Sequence, residues 1–328
     1  MKQRILGRDL EVSAVGLGCM GFTHAYGYPA DKRESLYAIQ QAFENGYTFF
    51  DTAECYIGKN KNGVVEHNED LVGEALKPYR DKVKIATKCG VRHRAGMLVM
   101  NSKPETIRKS IDTSLLRLKT DYVDLFYQHR IDPKVSPEEV AETMKELMKE
   151  GKILHWGISE ANEKYIRRAH AVCPVTCIQN RYSMMARWYE DLFPVLEELN
   201  IGYVAFSPLA NGVLSDCFTK ESKFEKGDFR NIMPQYTKHG FKKNEELLYF
   251  LRELARDKNT TPAQISLAWM LNKKSYIVPI PGSRKAERII ENGAAADIEL
   301  TADETEEIDN RLNAIKMSTV FGGSPIKK

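Results

Sequence analysis

Eight short apolar runs alternate with amphipathic stretches along nearly the whole of this 328-residue chain. The runs are rich in β-branched and aromatic residues, which favour strands, and in chain order they read AVGLG, FFDT, VKIATK, YVDLFYQ, ILHWGIS, TCIQN, YVAFS and YIVPIPG. The stretches between them carry the helical period, as in residues 31–45. Strands that alternate with helices favour a parallel sheet with right-handed crossovers. We therefore predict an α/β fold, a (β/α)8 TIM barrel, with an open doubly wound sheet as the alternative.

The two ends of the chain carry distinct signals. Near the N-terminus, residues 2–6 and 9–14 read as a β-hairpin with a tight turn. At the other end, residues 317–328 have no regular pattern and are expected to be loosely attached. No linker rich in Pro, Gly or Ser divides the sequence between them, so we expect a single domain over residues 1–328.

Capping patterns mark several helix starts. Ser136 to Glu139 forms a capping box with proline at the first helical position. Residues 102–105 and 261–264 repeat this pattern. The longest irregular stretch is residues 211–241, and an unstructured connection of that length is usually functional.

Composition and charge exclude several classes of function. The formal net charge of +3 is too small to indicate binding to nucleic acid or to an anionic membrane. The first residues include no apolar region of the kind found in signal peptides, so we expect no secretory signal. No apolar run approaches the roughly 20 residues of a membrane span. The six cysteines show no CxxC pair and no ligand spacing, so we expect reduced thiols and no metal. A cytoplasmic protein that acts on a small molecule is expected, and no pattern indicates its oligomeric state.

Four polar residues stand at or just after the ends of apolar runs: Asp51, Tyr56, Lys88 and His129. A strand interior accommodates such groups poorly, because burying an unpaired charge costs several kcal/mol or shifts its pKa. The carboxyl ends of parallel strands share one edge, so we predict that these residues form one polar pocket. Each alone has an ordinary structural explanation, and only their joint placement indicates a site.

This set of residues suits the reduction of a carbonyl group by hydride. Such a reaction needs a proton donor at the oxygen, and Tyr56 is the candidate. A nearby ammonium, from Lys88, would stabilise the phenolate. Asp51 would pair with Lys88, and His129 could donate a hydrogen bond that orients the substrate oxygen.

The segment Gly16–Gly21 matches the GxGxxG pattern of dinucleotide-binding folds, but its context is wrong. In those folds the helix opens within the glycines and meets the pyrophosphate. Here the helical pattern begins only near Asp31. We therefore interpret the segment as the end of the first barrel strand, where glycines would let a ligand approach the backbone.

A better candidate for an anion site follows the last apolar run. Ser283 suits a helix N-cap, and Arg284 and Arg288 lie on one face of the helix that follows. Two arginines and a hydroxyl beside free helix N–H groups favour an anion, and the corner after the last strand is where such barrels commonly bind phosphate. A capped surface helix with solvated arginines is the alternative.

Over about residues 2–316 the sequence resembles the aldo-keto reductase family. The resemblance rests on FDTAxxY, the ATK and VDLFYQH strand ends, GISE, QNRYS, SPLANGVL and IPGSRKAERIIEN, which occur here in the family's order. It implies a (β/α)8 barrel whose bottom is closed by the N-terminal hairpin, and it places the catalytic tetrad on Asp51, Tyr56, Lys88 and His129. The implied activity is NADPH-dependent reduction of aldehydes or ketones to alcohols.

The resemblance also implies which residues bind NADPH, without a Rossmann domain. Ser159 and Gln179 would hold the nicotinamide amide, and Phe206 would stack on its ring. Ser207, Leu209 and Gly212 would lie along the pyrophosphate. The 2′-phosphate contacts would be Ser283, Arg284 and Arg288, and the adenine contact Asn292. The predicted cofactor-binding set also includes Gly18, Cys19, Met20 and Asp51. Two arginines suit the dianionic 2′-phosphate and favour NADPH over NADH.

One position departs from the resemblance. Glu160 stands where many members have asparagine, and a carboxylate cannot donate to a carboxamide oxygen. The segment from Phe22 to Ala30 is unusual in carrying His24, Tyr26 and Tyr28, which could line the substrate mouth or simply pack the loop.

Two other functions are compatible with the pattern. A Schiff-base aldolase on the same barrel would use Lys88 as nucleophile, and it would need Lys88 free of a carboxylate partner and no nucleotide site. A cofactor-binding regulatory subunit with little turnover could retain the whole tetrad.

Overall fold

The structure is a computed structural model that describes residues 1–94 and 97–321. Its strands are β1 (Gln3–Leu6), β2 (Leu10–Ser13), β3 (Leu17–Gly18), β4 (Phe49–Asp51), β5 (Ile57–Lys59), β6 (Val65–His67), β7 (Lys84–Cys89), β8 (Val91–Arg94), β9 (Met97–Met100), β10 (Val123–Gln128), β11 (Ile153–Ser159), β12 (Cys177–Arg181), β13 (Gly202–Phe206) and β14 (Ile277–Pro279). Its α-helices are α1 (Lys32–Glu44), α2 (Asn68–Leu76), α3 (Pro104–Leu118), α4 (Pro137–Lys149), α5 (Glu163–Val172), α6 (Phe193–Leu199), α7 (Lys238–Asp257), α8 (Pro262–Lys273), α9 (Ala286–Ala294) and α10 (Ala302–Ala314). Within the described ranges, no helix combines the length and the apolarity needed to cross a bilayer.

Eight strands, one from each predicted apolar run, form a single parallel sheet in the order β3-β4-β7-β10-β11-β12-β13-β14. The sheet curls so that its two edges meet. The Gly16 N–H donates to the Pro279 carbonyl at 2.9 Å, and the Gly18 N–H donates to the Pro281 carbonyl at 3.3 Å. An open sheet would leave these groups unpaired, whereas a (β/α)8 barrel pairs them.

The glycines of the GxGxxG segment serve this seam. A Cβ on Gly18 would lie 2.7 Å from the Ile280 carbonyl oxygen, and one on Gly282 would lie 2.6 Å from the Gly18 carbonyl oxygen. The first helix begins at Lys32, well after the glycines. These glycines therefore permit a close approach between the first and last strands, a role that the sequence did not indicate.

Two apolar layers hold the barrel together. Interior side chains of alternate strand residues, including Phe49, Leu125 and Val204, form one buried cluster. A larger cluster, which includes Trp156 and Trp269, packs the outside of the sheet against the helices. Burial of apolar surface contributes about 25 cal/mol per Å², so these layers supply most of the stabilising free energy.

The N-terminal strands β1 and β2 pair antiparallel, as the hairpin pattern predicted. Their turn contains Gly7 at φ 62°, in the left-handed region that favours glycine. Leu6, Leu10 and Val12 belong to the interior cluster of the barrel. The Arg4 guanidinium also donates to the Ile277 carbonyl at 2.8 Å, which ties the pair to the last barrel strand.

The capping patterns had mixed outcomes. Ser136 and Glu139 make the predicted box at the start of α4, and Thr261 and Gln264 make it at the start of α8. The prediction for residues 102–105 was wrong. The N-cap of α3 is Lys103, which makes no side-chain cap, because the Ser102 hydroxyl instead accepts from the buried Gln128 amide at 3.0 Å.

The connection over residues 211–241 is ordered rather than irregular. It contains short 3₁₀ helices over Ala210–Ser215, Phe229–Ile232 and Pro234–Tyr236 before α7 begins. It also crosses to the loop after β3, where the Asn211 amide donates to the Tyr26 hydroxyl at 3.0 Å.

The segment 317–321 is not loose, contrary to the sequence-based expectation. The Ser318 N–H donates to the Asn244 side chain at 2.8 Å, and the Phe321 N–H donates to that of Gln235 at 3.0 Å. The rest of the predicted tail, residues 322–328, lies outside the described residues.

Candidate active site

Strand geometry directs several functional side chains into one end of the barrel. On four strands, the residue two places beyond an interior apolar residue lies at or near the carboxyl end: Asp51 follows Phe49, Lys88 follows Ala86, Gln179 follows Cys177 and Phe206 follows Val204. Alternate residues of a strand share a face. The same pattern that fills the core with apolar groups therefore places three polar side chains and the Phe206 ring at its upper end.

A buried hydrogen-bond network joins three of the predicted catalytic residues. The Lys88 ammonium donates to Asp51 Oδ1 at 2.5 Å, to the Thr52 carbonyl at 2.7 Å and to Tyr56 Oη at 3.3 Å. These contacts use all three donors of the ammonium. Asp51 Oδ2 accepts from the Gln179 amide at 2.8 Å. Because Lys88 is fully buried, this full set of partners is what makes its charge tolerable.

Burial and pairing act in opposite directions on this network. Burial raises the pKa of Asp51, and the Lys88 ammonium and the Gln179 amide oppose that rise. Burial also lowers the pKa of Lys88, but Asp51 and Tyr56 outweigh it, so that this pKa lies above its ordinary value. Lys88 is therefore a charged donor at neutral pH.

Tyr56 lies in the short connection after β4, with its hydroxyl against Lys88. Burial raises its pKa to about 12, although the Lys88 ammonium acts to lower it. The sequence-based expectation named only the lysine effect, and burial outweighs it in the free protein. The phenol therefore keeps its proton at neutral pH, and Lys88 is placed to stabilise the phenolate that forms when the proton leaves.

His129 directly follows β10 and its ring stands edge-on to that of Tyr56, with 5.8 Å between ring centroids. Its backbone N–H donates to the Cys89 carbonyl at 3.0 Å. Burial, followed by the charges of Arg130 and Lys88, lowers the pKa of His129 well below its usual value. The imidazole is therefore neutral, with one N–H to donate.

These residues open on a cavity of about 750 Å³, within the size range of small-molecule and cofactor sites. The predicted residues that line it are Gly18, Met20, Asp51, Tyr56, His129, Gln179, Phe206, Ser207, Leu209, Gly212, Ser283, Arg284, Arg288 and Asn292. His24 and Tyr26 from the unusual first loop also line it, whereas Tyr28 stands exposed outside it. One continuous cavity thus joins the tetrad to the predicted anion site.

Three predicted residues do not line this cavity. Lys88 lies behind its hydrogen-bond partners Asp51 and Tyr56, which do line it. The buried thiol of Cys19 instead donates to the Leu17 carbonyl at 3.6 Å. The buried hydroxyl of Ser159 accepts from Arg130 Nη1 at 3.0 Å, so the arginine covers it. The Cys19 and Ser159 side chains are therefore not placed to touch a ligand in this conformation.

The far end of the cavity differs in detail from its prediction. The helix α9 begins at Ala286 with Lys285 as its N-cap, so Ser283 does not cap it. The Ser283 hydroxyl accepts from the Lys285 N–H at 3.1 Å and forms a turn before the helix.

The two arginines of the predicted anion site have different partners. Arg284 Nε donates to the Gly21 carbonyl at 2.5 Å, while its Nη2 is buried without a partner among the described residues. Arg288 pairs with Glu291 of its own helix at 2.6 Å.

Sequence reasoning missed two arginines in this site. Arg130 Nε binds the Glu160 carboxylate at 3.0 Å, which gives the unusual Glu160 a partner. Arg181, at the end of β12, is only 7% exposed, yet its Nε has no partner within the described residues. Its guanidinium lies over the Phe206 ring, 5.0 Å from the centroid, and burial lowers its pKa. The only sequence signal for Arg181 was its position directly after Asn180 at the end of an apolar run, within the QNRYS motif.

Comparisons with known proteins agree with this geometry. Residues 14–313 match the model of the aldo/keto reductase family. The probable aldo-keto reductase 1 of Glycine max is 38% identical over 319 residues, which cover 96% of this chain and 89% of that protein. The glycerol dehydrogenase of Gluconobacter oxydans superposes with a TM-score of 0.84 at 26% identity, covering 99% of this chain and 97% of that chain.

A further structure shares the fold at lower identity. An aldo-keto reductase of Klebsiella pneumoniae, in complex with NADP and acetate, superposes with a TM-score of 0.73 at 23% identity, covering 100% of this chain and 99% of that chain. A curled parallel barrel with an Asp–Lys–Tyr network at its carboxyl edge fits a barrel oxidoreductase. This chain belongs to the aldo/keto reductase family.

Proposed function

We propose that this protein reduces aldehydes or ketones to alcohols with NADPH. The observation that carries the proposal is the contact of the buried Asp51–Lys88 pair with the Tyr56 hydroxyl at the cavity wall. Because Tyr56 Oη accepts from Lys88, its own proton is free to point into the cavity. A protonated phenol with a fixed ammonium behind it is suited to act as a general acid.

The residues act on the substrate oxygen. His129 donates a hydrogen bond to that oxygen and orients it beside Tyr56. Tyr56 transfers its proton to the oxygen, and the Lys88 ammonium stabilises the phenolate that remains. Asp51 keeps Lys88 charged and in place. The nicotinamide cofactor, when bound, supplies the hydride that the carbonyl carbon accepts.

The cavity fits such a cofactor. Phe206 offers a flat ring in the same cavity as Gln179 and Asp51, and Ser207, Leu209 and Gly212, which follow β13, also line it. The buried, unpartnered Nη2 of Arg284 suits an anion, and we assign it to the 2′-phosphate together with Ser283 and Arg288. Asn292 would contact the adenine. Gly18 and Met20 also line the cavity and would contact the cofactor there. The Klebsiella relative solved with NADP has this fold.

We assign Arg181 to the pyrophosphate of the same cofactor. A buried guanidinium without a carboxylate partner is unfavourable unless an anion joins it. The Arg181 guanidinium donates from Nη1 to the Asn211 amide oxygen at 3.4 Å, and Asn211 precedes Gly212, which is predicted to lie along the pyrophosphate. The pyrophosphate is therefore the anionic group of the cofactor that we place beside Arg181.

We also infer a single-domain architecture in which the β1–β2 pair closes the lower end of the barrel. This closure is supported by the interior apolar cluster of the barrel, which includes Leu6, Leu10 and Val12 of these strands. The substrate then enters only at the carboxyl end of the strands, past His24 and His129.

The aldolase alternative is disfavoured by the network itself. A Schiff-base lysine must present a free, neutral amine. Lys88 is instead fully buried and paired with Asp51, and its pKa is raised, so that its amine remains charged. No feature of the described residues favours a purely regulatory role.

The test is a screen of cofactor oxidation across aldehydes, ketones, quinones and sugars, run in parallel with NADPH and NADH. We expect turnover of at least one carbonyl class and a clear preference for NADPH. Tight NADPH binding without turnover on any class would favour the regulatory subunit and overturn the proposal.

A further inference from the structure

The His129 ring lies within hydrogen-bond distance of a cysteine thiol. His129 Nδ1 lies 3.5 Å from Cys55 Sγ, and both residues are buried, at 8% and 6% exposure. Cys55 belongs to the same short connection as Tyr56, and with it lines the main cavity. The contact therefore acts on the group that faces the substrate oxygen.

The direction of this hydrogen bond sets the tautomer of His129. A neutral imidazole carries one N–H, and the partner of one nitrogen decides which nitrogen carries it. If the thiol donates to Nδ1, the proton sits on Nε2, which is then the donor toward the cavity. If Nδ1 donates to sulfur, Nε2 presents a lone pair and cannot donate to a carbonyl oxygen.

The surroundings favour the thiol as donor. Burial raises the pKa of Cys55 to about 12, so a thiolate acceptor does not form at neutral pH. A neutral thiol accepts weakly, whereas an imidazole nitrogen is a good acceptor. After burial, the positive charges of Arg130 and Lys88 are the largest effects on the pKa of His129, and both disfavour a protonated ring.

We propose that Cys55 is a positioning residue that donates its S–H to His129 Nδ1 and so holds Nε2–H toward the substrate oxygen. Its kinetic consequence rests on the proposed carbonyl reduction. The competing explanation is simple packing, because Cys55 also lies in a small apolar cluster with Ala53 and Val91. A packing role would affect stability and leave the tautomer unchanged.

The direct test is nitrogen NMR of the protein labelled with ¹⁵N-histidine, which reads the tautomer without any turnover. The His129 signals are assigned as those missing from His129→Gln. In the unmodified protein we expect the Nε2–H tautomer. Cys55→Ala should populate the Nδ1–H form, and Cys55→Ser, which keeps a donor, should return toward Nε2–H.

Kinetics provide the second measurement, with Cys173→Ala as control, since Cys173 is a buried cysteine next to Met148 and away from the site. Cys55→Ala should lower kcat about 3- to 10-fold, the effect of one net hydrogen bond, with NADPH affinity unchanged. Cys55→Ser should recover most of this loss, and Cys173→Ala should show none.

The inference is overturned if His129 in the unmodified protein is the Nδ1–H tautomer, or if Cys55→Ala leaves the tautomer unchanged. If the protein reduces no carbonyl, the proposed function fails while the NMR result still decides the role of Cys55. If it reduces carbonyls with an unchanged tautomer in Cys55→Ala, only this inference fails.

Discussion

Single residues set the pH behaviour of this site, and for Tyr56 burial outweighs the effect of the neighbouring charge. Tyr56 illustrates the balance, because desolvation raises its pKa to about 12 against the attraction of Lys88. The proton that reduction requires is therefore present at every physiological pH. The same rise in the pKa of Tyr56 makes its phenolate scarce at neutral pH, and alcohol oxidation would require that phenolate as a base.

The two directions of the reaction should consequently differ in pH dependence. Carbonyl reduction should be insensitive to Tyr56 ionisation between about pH 6 and 10, since the phenol remains protonated below its pKa. Alcohol oxidation should rise about tenfold for each pH unit in this range, because the phenolate fraction grows by that factor. Steady-state kcat/KM profiles in both directions measure this, and a falling reduction rate centred near pH 8 would contradict it.

Arg181 and Arg284 should differ in the cofactors that they affect. Arg181→Gln should weaken NADPH and NADH alike, roughly 10- to 100-fold for a lost charged hydrogen bond, because both cofactors share the pyrophosphate. The free variant should be at least as stable as the parent, since a buried unpaired charge is removed. Fluorescence titration with each cofactor and urea unfolding check this, and a loss confined to NADPH would refute the pyrophosphate assignment.

At the scale of elements, strands were easier to predict than helix ends. The apolar runs identified all eight barrel strands, because buried strands need continuous β-branched and aromatic residues. The candidate site residues Asp51 and Lys88 were predictable for the same reason, since polar groups at the end of such runs contrast with their surroundings. The role of Gly18 at the seam was not predicted, because its neighbour across the barrel, Ile280, lies far away in sequence.

Tertiary hydrogen bonds explain the helix starts that were missed. Ser102 has the local pattern of a cap, but its hydroxyl is taken by Gln128 from a neighbouring strand. Ser283 likewise turns the chain before α9 instead of capping it. Contacts such as Cys55 with His129 are also invisible locally, because 74 residues separate the partners.

The capping box at α4 provides a test at this scale. Ser136→Ala removes the bond to the Glu139 N–H and should cost about 1 kcal/mol of the free energy of unfolding. Lys103→Ala is the matched control, since Lys103 caps α3 without a side-chain bond. Urea denaturation of both variants measures the difference, and equal losses would contradict the assigned role of Ser136.

At the scale of the whole molecule, the closed barrel is joined to the long cavity that we propose binds the cofactor. The first and last strands meet at a seam, and the connection after β13 crosses to the loop after β3. The residues predicted to bind NADPH therefore come from both ends of the chain. A bound cofactor should for this reason stabilise the entire fold and not one segment.

Thermal unfolding with saturating cofactor tests this coupling. NADPH at one hundred times its Kd should add about 2.7 kcal/mol to the free energy of unfolding. Arg284→Gln should reduce the gain from NADPH and leave the gain from NADH unchanged, whereas the exposed Arg33→Gln should alter neither. Because Arg284 also binds the Gly21 carbonyl, the comparison must use the cofactor-induced shift. Equal loss with both cofactors would contradict the 2′-phosphate assignment.

The central claim is that Tyr56 delivers the proton while a separate region of the cavity binds NADPH. The most direct measurement is turnover and NADPH affinity of Tyr56→Phe, which removes the hydroxyl and keeps the ring beside His129. We expect kcat for carbonyl reduction to fall by about 10²- to 10⁴-fold while the Kd for NADPH is unchanged. Turnover at the level of the unmodified protein would contradict the account.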